Sequence, residues 1–172
     1  AQILQLGFWP GGDRDGNPFV TFDTTLAVAD ELRMTLMKCY YGDLKDLEGK
    51  LTFRNVEDVV AELISSVYEA MFNAGSTLAA TDIERPLKDI KKILLSEYNG
   101  LYREDVDALI GKVNLFKTHF ATIDIRQNHA VHEQVITAIL KQNHLIKDSL
   151  DELTQEDLTE ILLSKTFDLN AN

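Results

Sequence analysis

The sequence predicts a mainly helical chain that also contains two short strands. Most of its 172 residues fall into segments in which apolar side chains recur every three or four positions, the period of an amphipathic helix. Two short runs, residues 3–9 and 120–125, instead combine apolar, aromatic and β-branched side chains, a composition typical of strands. The chain has no internal repeat and no low-complexity segment, so we expect residues 1–172 to form a single helical unit.

The first strand is predicted at residues 3–9, and a loop follows it at once. The segment ILQLGFW is short and apolar, as in a buried strand. The next segment, PGGDRDGNP, holds three of the nine glycines and two of the three prolines, which is the strongest loop signal in the chain. We call residues 10–18 the glycine loop.

A long helix is predicted after the glycine loop. Asp23 is its expected N-cap, because a carboxylate can accept hydrogen bonds from the free N–H groups of the first turn. Gly42 and Gly49 flank a polar stretch in which we expect the helix to weaken or stop. Its predicted apolar face consists of Leu26, Ala29, Leu32, Leu36 and Tyr40.

Three further helices are predicted before the second strand. Asn55 is a suitable N-cap for the first of them, and Asp82 for the second, where Pro86 is tolerated in the first turn. The second helix closes at Asn99 and Gly100. The third begins near Glu104, and its apolar positions keep the helical period.

Two helices are predicted after the second strand. The first runs from Asn128 to Gln142. The second covers residues 153–163, where Thr154 and Asp157 resemble a capping box that satisfies two N–H groups reciprocally. The last five residues, DLNAN, are expected to fray.

Charge and composition exclude several classes of partner. The net charge of −11 repels nucleic-acid phosphates and anionic membranes, and no run approaches the roughly 18 apolar residues of a membrane span. Cys39, the single cysteine, agrees with a reducing, cytoplasmic compartment, and we interpret it as a small core residue. The chain opens at Ala1 and reaches its most unusual motif at once, so we expect an excised piece of a larger protein.

The glycine loop carries more polar chemistry than a core requires. Arg14 lies between Asp13 and Asp15, and its guanidinium can bind a carboxylate, a phosphate or bicarbonate through two parallel bonds. The two acids could orient this arginine or a neighbouring helix end. An ordinary Asp/Gly turn with a solvated arginine is the alternative. A calcium loop is rejected, because the spacing of Asp13, Asp15 and Asn17 is not followed by the required glycine and bidentate acid.

A second polar segment, IDIRQNHAVHE, begins in the second predicted strand. Asp124 and Arg126 lie at the end of that strand, where α/β enzymes place functional groups. His129 and His132 would share a helix face, but no third ligand is near in sequence, so we expect no metal site there. The alternative is a strand-to-helix corner with structural ion pairs. The P-loop, GxGxxG, GxSxG and HExxH patterns are absent from the sequence.

Both polar segments resemble motifs of the phosphoenolpyruvate carboxylases. FWPGGDRDGNPFVT, from Phe8 to Thr21, is similar to the family's W-x-G-G-D-R-D-G-N-P-x-V-T, with Pro10 in place of the more usual methionine. Residues 123–127 resemble the start of the family's D-I-R-Q-E-S-x-x-H motif. His132 falls on its histidine position, whereas the two residues after the glutamine depart from its Glu and Ser.

The resemblance implies an internal fragment of an enzyme that joins bicarbonate to phosphoenolpyruvate, giving oxaloacetate and phosphate with Mg²⁺. It implies that residues 3–9 and 120–125 are strands of a larger α/β barrel, with the two motifs at their active-site ends. Arg14 would be catalytic and would bind substrate together with Arg126. The residues expected to support them are Asp13, Asp15, Asn17, Asp124 and His132.

Several parts of the family's machinery do not occur in these 172 residues, including its catalytic-histidine motif, its metal-binding acids and its second glycine- and arginine-rich loop. We therefore expect the fragment alone to be inactive and to bind no cofactor. The whole enzyme is expected to be a homo-oligomer. Two alternatives stay open: a helical interaction or regulatory module, and a different carboxylate- or phosphate-handling enzyme built on a related barrel.

Overall fold

The structure is a computed structural model that describes residues 4–15, 17–73, 75–164 and 167. These residues form six α-helices, one 3₁₀ turn and two short parallel strands, so the mainly helical fold class is confirmed. They divide into two compact units. The first runs to Asp13 and continues over Phe19–Ile125, and the second comprises Arg14–Pro18 and the residues from Arg126 onward. The interpretation of residues 1–172 as one domain stays a prediction.

Four helices build the first unit, and they pack in sequential pairs, the first against the second and the third against the fourth. Each carries apolar side chains at helical spacing, as the sequence predicts. Their bounds are Phe22–Glu48 for α1, Glu57–Phe72 for α2, Ala80–Glu97 for α3 and Arg103–Phe116 for α4.

The core of the first unit lies between these four helices. Each large apolar side chain that it removes from water stabilises the fold by roughly 1.5–3 kcal/mol. The predicted apolar face of α1 is wrong at its start: Leu26 is 49% exposed, and the buried stripe of α1 becomes continuous only from Leu36. The largest fully buried side chains include Met37, Tyr40, Leu44, Leu51, Ile83, Leu87, Ile90 and Leu94.

The start of α1 differs from the prediction. Thr21, and not Asp23, is the N-cap, and its side chain accepts a hydrogen bond from the N–H of Thr24 at 3.3 Å. Asp23 lies within the first turn, where a negative charge is favourable beside the helix dipole. Gly42 does not interrupt the helix, which continues to Glu48 and is capped by Gly49, because the surrounding turns are fixed by tertiary packing.

Two later helix starts also differ in detail. Asn55 adopts a left-handed conformation with φ of 67°, which asparagine tolerates, and leaves Val56 as the N-cap of α2. The third helix begins at Ala80, before the predicted Asp82, whose carboxylate accepts a hydrogen bond from the N–H of Ala79 at 3.0 Å. Pro86 consequently lies in the second turn of the helix and not in the first.

The two strands are shorter than predicted and pair in parallel. They comprise Gly7–Phe8 (β1) and Thr122–Ile123 (β2), with Gly7 opposite Thr122 and Phe8 opposite Ile123. The N–H of Asp124 donates to the Phe8 carbonyl at 2.9 Å and extends the ladder by one bond. Residue 3 of the first predicted strand lies outside the described residues. Only two residues of each strand pair with the other strand, so the sheet is shorter than the two apolar runs that predicted it.

A buried tyrosine secures the end of α4. The hydroxyl of Tyr40 donates to the Lys117 carbonyl at 2.8 Å, and the Lys112 carbonyl lies 3.4 Å away. Lys117 has a positive φ of 55°, so the chain leaves α4 by a sharp change of direction. Burial, and next the negative charge of Asp43, raises the pKa of Tyr40, which keeps the hydroxyl protonated as a donor.

The second unit contains the two predicted C-terminal helices, His129–Gln142 (α5) and Gln155–Ser164 (α6), with a 3₁₀ turn at Leu150–Glu152. The side chain of Asn128 caps α5, and Thr154 with Asp157 forms the predicted capping box of α6. The five C-terminal residues predicted to fray lie outside the described residues. None of the helices in the described part of the chain is long and apolar enough to cross a membrane.

Candidate functional site

The first part of the glycine loop folds back on the end of β1. The carbonyl of Trp9 accepts hydrogen bonds from the N–H groups of Gly12, at 2.9 Å, and of Asp13, at 3.2 Å. Gly12 is buried, and a Cβ atom at this position would lie 2.2 Å from the carbonyl oxygen of Asp124. Since no side chain fits in that space, the glycine permits the loop to lie against the residue that follows β2.

Gly11 fits closely against the first helix. Its φ is +81°, a conformation that L side chains rarely adopt, and an added Cβ would lie 2.6 Å from Cγ2 of Val28. The loop backbone is thus in contact with α1 on one side and with the end of β2 on the other. Both glycines that precede Asp13 are required by geometry.

Within the second unit, Arg14 and Arg126 meet through their backbones. The N–H of Arg14 donates to the Arg126 carbonyl at 2.9 Å, and the Arg14 carbonyl accepts from the N–H of Asn17 at 3.2 Å. Arg14 is half-buried, whereas the side chain of Arg126 is exposed. Both guanidinium groups are permanently charged, and the carboxylates of Asp13 and Asp15 flank Arg14 in sequence.

The other predicted site residues are distributed over both units. Asp13 and Asp124 belong to the first unit, and Asp15, Asn17 and His132 to the second. His132 lies in the first turn of α5, where its N–H donates to the Asn128 carbonyl at 3.2 Å, and its side chain is exposed.

The described residues do not provide a metal site. No group of three or more His, Cys, Asp or Glu side chains among them could hold an ion. His129 and His132, which the sequence places on one helix face, have no third donor beside them in this part of the chain.

One side chain has surroundings different from those predicted, and another that contacts the loop was not predicted at all. Cys39 is exposed, so its interpretation as a core residue is wrong: it lies outside the buried stripe of α1 and on a groove of about 620 Å³ between α1 and α4. Thr25 was missed, although the residue is only 8% exposed and its hydroxyl lies 2.7 Å from the Gly11 carbonyl. The sequence did offer one indication: Thr25 lies at helical spacing from Leu32 and Leu36, on the face of α1 that was predicted to be apolar.

The chain is similar in sequence to known enzymes. A family model described as phosphoenolpyruvate carboxylase matches residues 1–76 and residues 68–168. The phosphoenolpyruvate carboxylase of Nitrosomonas eutropha is 24% identical over 210 aligned residues, covering 96% of this chain and 22% of the relative.

Two further curated relatives carry the same name. The phosphoenolpyruvate carboxylase of Bradyrhizobium diazoefficiens is 28% identical, over 81% of this chain and 19% of its own length. That of Aeromonas hydrophila is 24% identical, over 96% of this chain and 22% of its own length. The chain therefore spans about a fifth of the length of the curated relatives that it matches.

Proposed function

Because the chain belongs to the phosphoenolpyruvate carboxylase family, we propose that it forms one segment of an enzyme that carboxylates phosphoenolpyruvate. In this reaction bicarbonate and phosphoenolpyruvate give oxaloacetate and inorganic phosphate. The observation that supports a role for this segment is the 2.9 Å hydrogen bond from the Arg14 N–H to the Arg126 carbonyl. This bond joins the glycine loop to the second family motif, which supports the proposal that residues distant in sequence act at one place.

The chemistry requires two anions to be held together. Phosphate transfer from phosphoenolpyruvate to bicarbonate gives carboxyphosphate and an enolate, which must remain close until the new carbon–carbon bond forms. Fixed positive charge in a site that excludes water stabilises such a pair far better than bulk solvent does. We assign part of that charge to Arg14, whose planar guanidinium can bind two oxygens of one anion.

The remaining site residues have supporting roles in this proposal. Arg126 contributes a second positive charge toward substrate, which agrees with its exposed side chain. Asp13 and Asp15 orient Arg14 from either side in sequence, and Asn17 closes the turn through its N–H. The last two supporting residues are Asp124, at the end of β2, and His132, in the first turn of α5.

The strand pair is proposed to be part of a larger parallel barrel. Each strand has one neighbour within the described residues, and each is flanked by exposed apolar side chains: Leu4 is 67%, Trp9 60% and Ile125 63% exposed. Further strands beside β1 and β2 would cover these side chains and satisfy the remaining backbone groups. In barrels of this kind, functional residues follow the carboxyl ends of the strands, as the glycine loop follows β1.

The metal, the assembly and the location of the whole enzyme belong to the same proposal. Mg²⁺, which the resemblance implies, does not fit the donor set of the described residues, so we assign its ligands to other parts of the enzyme. The whole enzyme is proposed to be a cytoplasmic homo-oligomer. We expect the 172-residue chain by itself to produce no oxaloacetate in a coupled assay with phosphoenolpyruvate, bicarbonate and Mg²⁺.

Replacement of Arg14 tests the proposed role directly. In the full-length enzyme that carries this sequence, Arg14→Ala should lower kcat/KM by roughly two to four orders of magnitude, if two charge-assisted bonds of about 1.5–3 kcal/mol each are lost from the transition state. The melting temperature should change little, because Arg14 lies on no apolar stripe. Lysine should restore activity only in part, since a point charge lacks the two-pronged geometry.

The matched control is Arg85→Ala, which removes an exposed arginine of α3 away from the loop. We expect this variant to retain both activity and melting temperature. A large fall in melting temperature for Arg14→Ala, with normal kcat/KM in the folded fraction, would mean that Arg14 is a structural residue and that its assignment to the site is wrong.

A further inference from the structure

We propose that Thr25 is a positioning residue that holds the glycine loop in its functional conformation. Its relevance to catalysis rests on the proposed function, whereas its effect on the loop can be measured without substrate. The contact joins the first turn of α1 to the loop backbone three residues before Arg14. Thr25 itself does not touch substrate in this proposal and acts only through the loop.

The hydroxyl of Thr25 is directed to the loop in preference to its own helix. A threonine in a helix commonly donates to the carbonyl four residues before it, which is here Thr21, at 3.2 Å. The Gly11 carbonyl is closer, at 2.7 Å, and is a well-placed acceptor. Thr25 is 8% exposed, and besides Tyr40 it is the buried residue with a polar side-chain group in the part of the chain that the structure describes. The bond is partly buried, so water replaces it less readily than it would replace a bond at the surface.

A hydrogen bond to the Gly11 carbonyl can determine the conformation of the residues that follow it. Gly11 has a positive φ, and Gly12 and Asp13, which follow it, donate their N–H groups to the Trp9 carbonyl. Steric contacts with Val28 and with the Asp124 carbonyl limit where the loop can lie, but neither is a directional bond to the loop. The hydrogen bond from Thr25 is directional, and it fixes the orientation of the peptide group that joins Gly11 to Gly12.

The experiment compares Thr25→Val, which keeps the shape but removes the donor, with Thr25→Ser, which keeps the donor. Thr35→Val is the control, because it makes the same change at an exposed position of the same helix. The carbonyl of Trp9 accepts the hydrogen bonds of the loop from the N–H groups of Gly12 and Asp13. Amide hydrogen exchange at Gly12 and Asp13 reports on the same bonds.

We expect Thr25→Val to increase amide exchange at Gly12 and Asp13 about tenfold, which corresponds to the loss of one partly buried hydrogen bond. Thr25→Ser and Thr35→Val should both behave as the unmodified chain. If Thr25→Val does not fold, Thr25→Ala is compared with Thr25→Ser, because these two variants differ by one hydroxyl. The same roughly tenfold difference in amide exchange at Gly12 and Asp13 is expected between them. Equal exchange in each pair would overturn the proposal.

Activity of the full-length enzyme separates this inference from the proposed function. If both are correct, Thr25→Val lowers kcat/KM about tenfold and Thr25→Ser restores it, because a displaced loop misaligns the groups that it carries. Faster loop exchange with unchanged kcat/KM would support the effect on the loop and overturn its role in catalysis. Unchanged loop exchange together with a loss of activity in Arg14→Ala would overturn the inference and leave the proposed function standing.

Discussion

Helices α1–α4 and the segment from β1 to Asp13 are neighbours in one unit, yet they are held by different forces. The helices bury a continuous set of apolar side chains, and residues such as Leu87 and Leu94 are fully enclosed. The segment from β1 to Asp13 is held instead by hydrogen bonds to its backbone, one of them from the Thr25 hydroxyl, and by two glycines whose neighbours leave no room for a side chain. The helical core therefore depends on buried volume, and the loop depends on backbone geometry.

This difference has a consequence for tolerance to substitution. A helix core accepts apolar side chains of similar size, since burial is non-directional. A loop of this kind accepts a substitution only where the new side chain does not clash with a neighbouring backbone atom. Sites that bind substrate benefit from the second kind of support, because it determines where each backbone group lies.

The largest expected effect concerns the core. Leu87→Ala removes a fully buried side chain of α3 and should lower the free energy of unfolding by about 2–5 kcal/mol, through lost transfer energy and a residual cavity. Val135→Ala, at a position 51% exposed on α5, should change it by less than about 0.5 kcal/mol. Urea denaturation followed by circular dichroism measures both. Equal losses in the two variants would contradict the assignment of the core to α1–α4.

Gly12→Ala should have an intermediate effect that arises from the backbone. Its Cβ would meet the Asp124 carbonyl at 2.2 Å, so the loop or the end of β2 must shift, at a cost of about 1–3 kcal/mol. Gly42→Ala is the matched control: no atom lies within 4 Å of the added Cβ, and this helical position should gain about 0.5–1 kcal/mol. Thermal melting of both variants, followed by Trp9 fluorescence and by circular dichroism, shows whether the melting temperature falls in Gly12→Ala and rises in Gly42→Ala. A neutral Gly12→Ala would show that the loop does not need this close approach.

The smallest expected effect extends the comparison to the second unit, where a carboxylate holds a turn. Glu152 accepts hydrogen bonds from the N–H groups of Lys147, Asp148 and Ser149, which lower its pKa to about 2 from an ordinary value of 4.5. A carboxyl with a lowered pKa stabilises the fold above pH 4.5, and this contribution is lost as the pH falls toward 2. Carbon-detected NMR titration of Glu152 measures the pKa. In Glu152→Gln the part of the acid-dependent change at the amides of Lys147 and Ser149 that follows the titration of Glu152 should disappear, and its persistence would contradict the assignment.

Much of the helical architecture could be predicted from the sequence, because a helix is a local structure. The stripes that include Leu87, Val106 and Leu140 follow a period of 3.6 residues, and each lies in a helix with that residue buried. The pair Thr154 and Asp157 caps a helix as predicted, because a capping side chain binds N–H groups only a few residues away. Asn128, predicted as the first residue of its helix, is the N-cap of that helix. The glycine loop could also be recognised, since its composition permits few other structures.

Only the tertiary structure decided which contacts join distant parts of the chain. The sequence proposed Asp23 as a cap and Cys39 as a core residue, but the exact start of α1 and the face that it buries depend on what packs against it. The backbone bond between Arg14 and Arg126 and the hydroxyl contact from Thr25 to Gly11 have no local signature, because they depend on how strands and helices far apart in sequence come together. Local propensity thus determined the elements and the polar motifs, whereas long-range packing determined their register and the geometry of the candidate site.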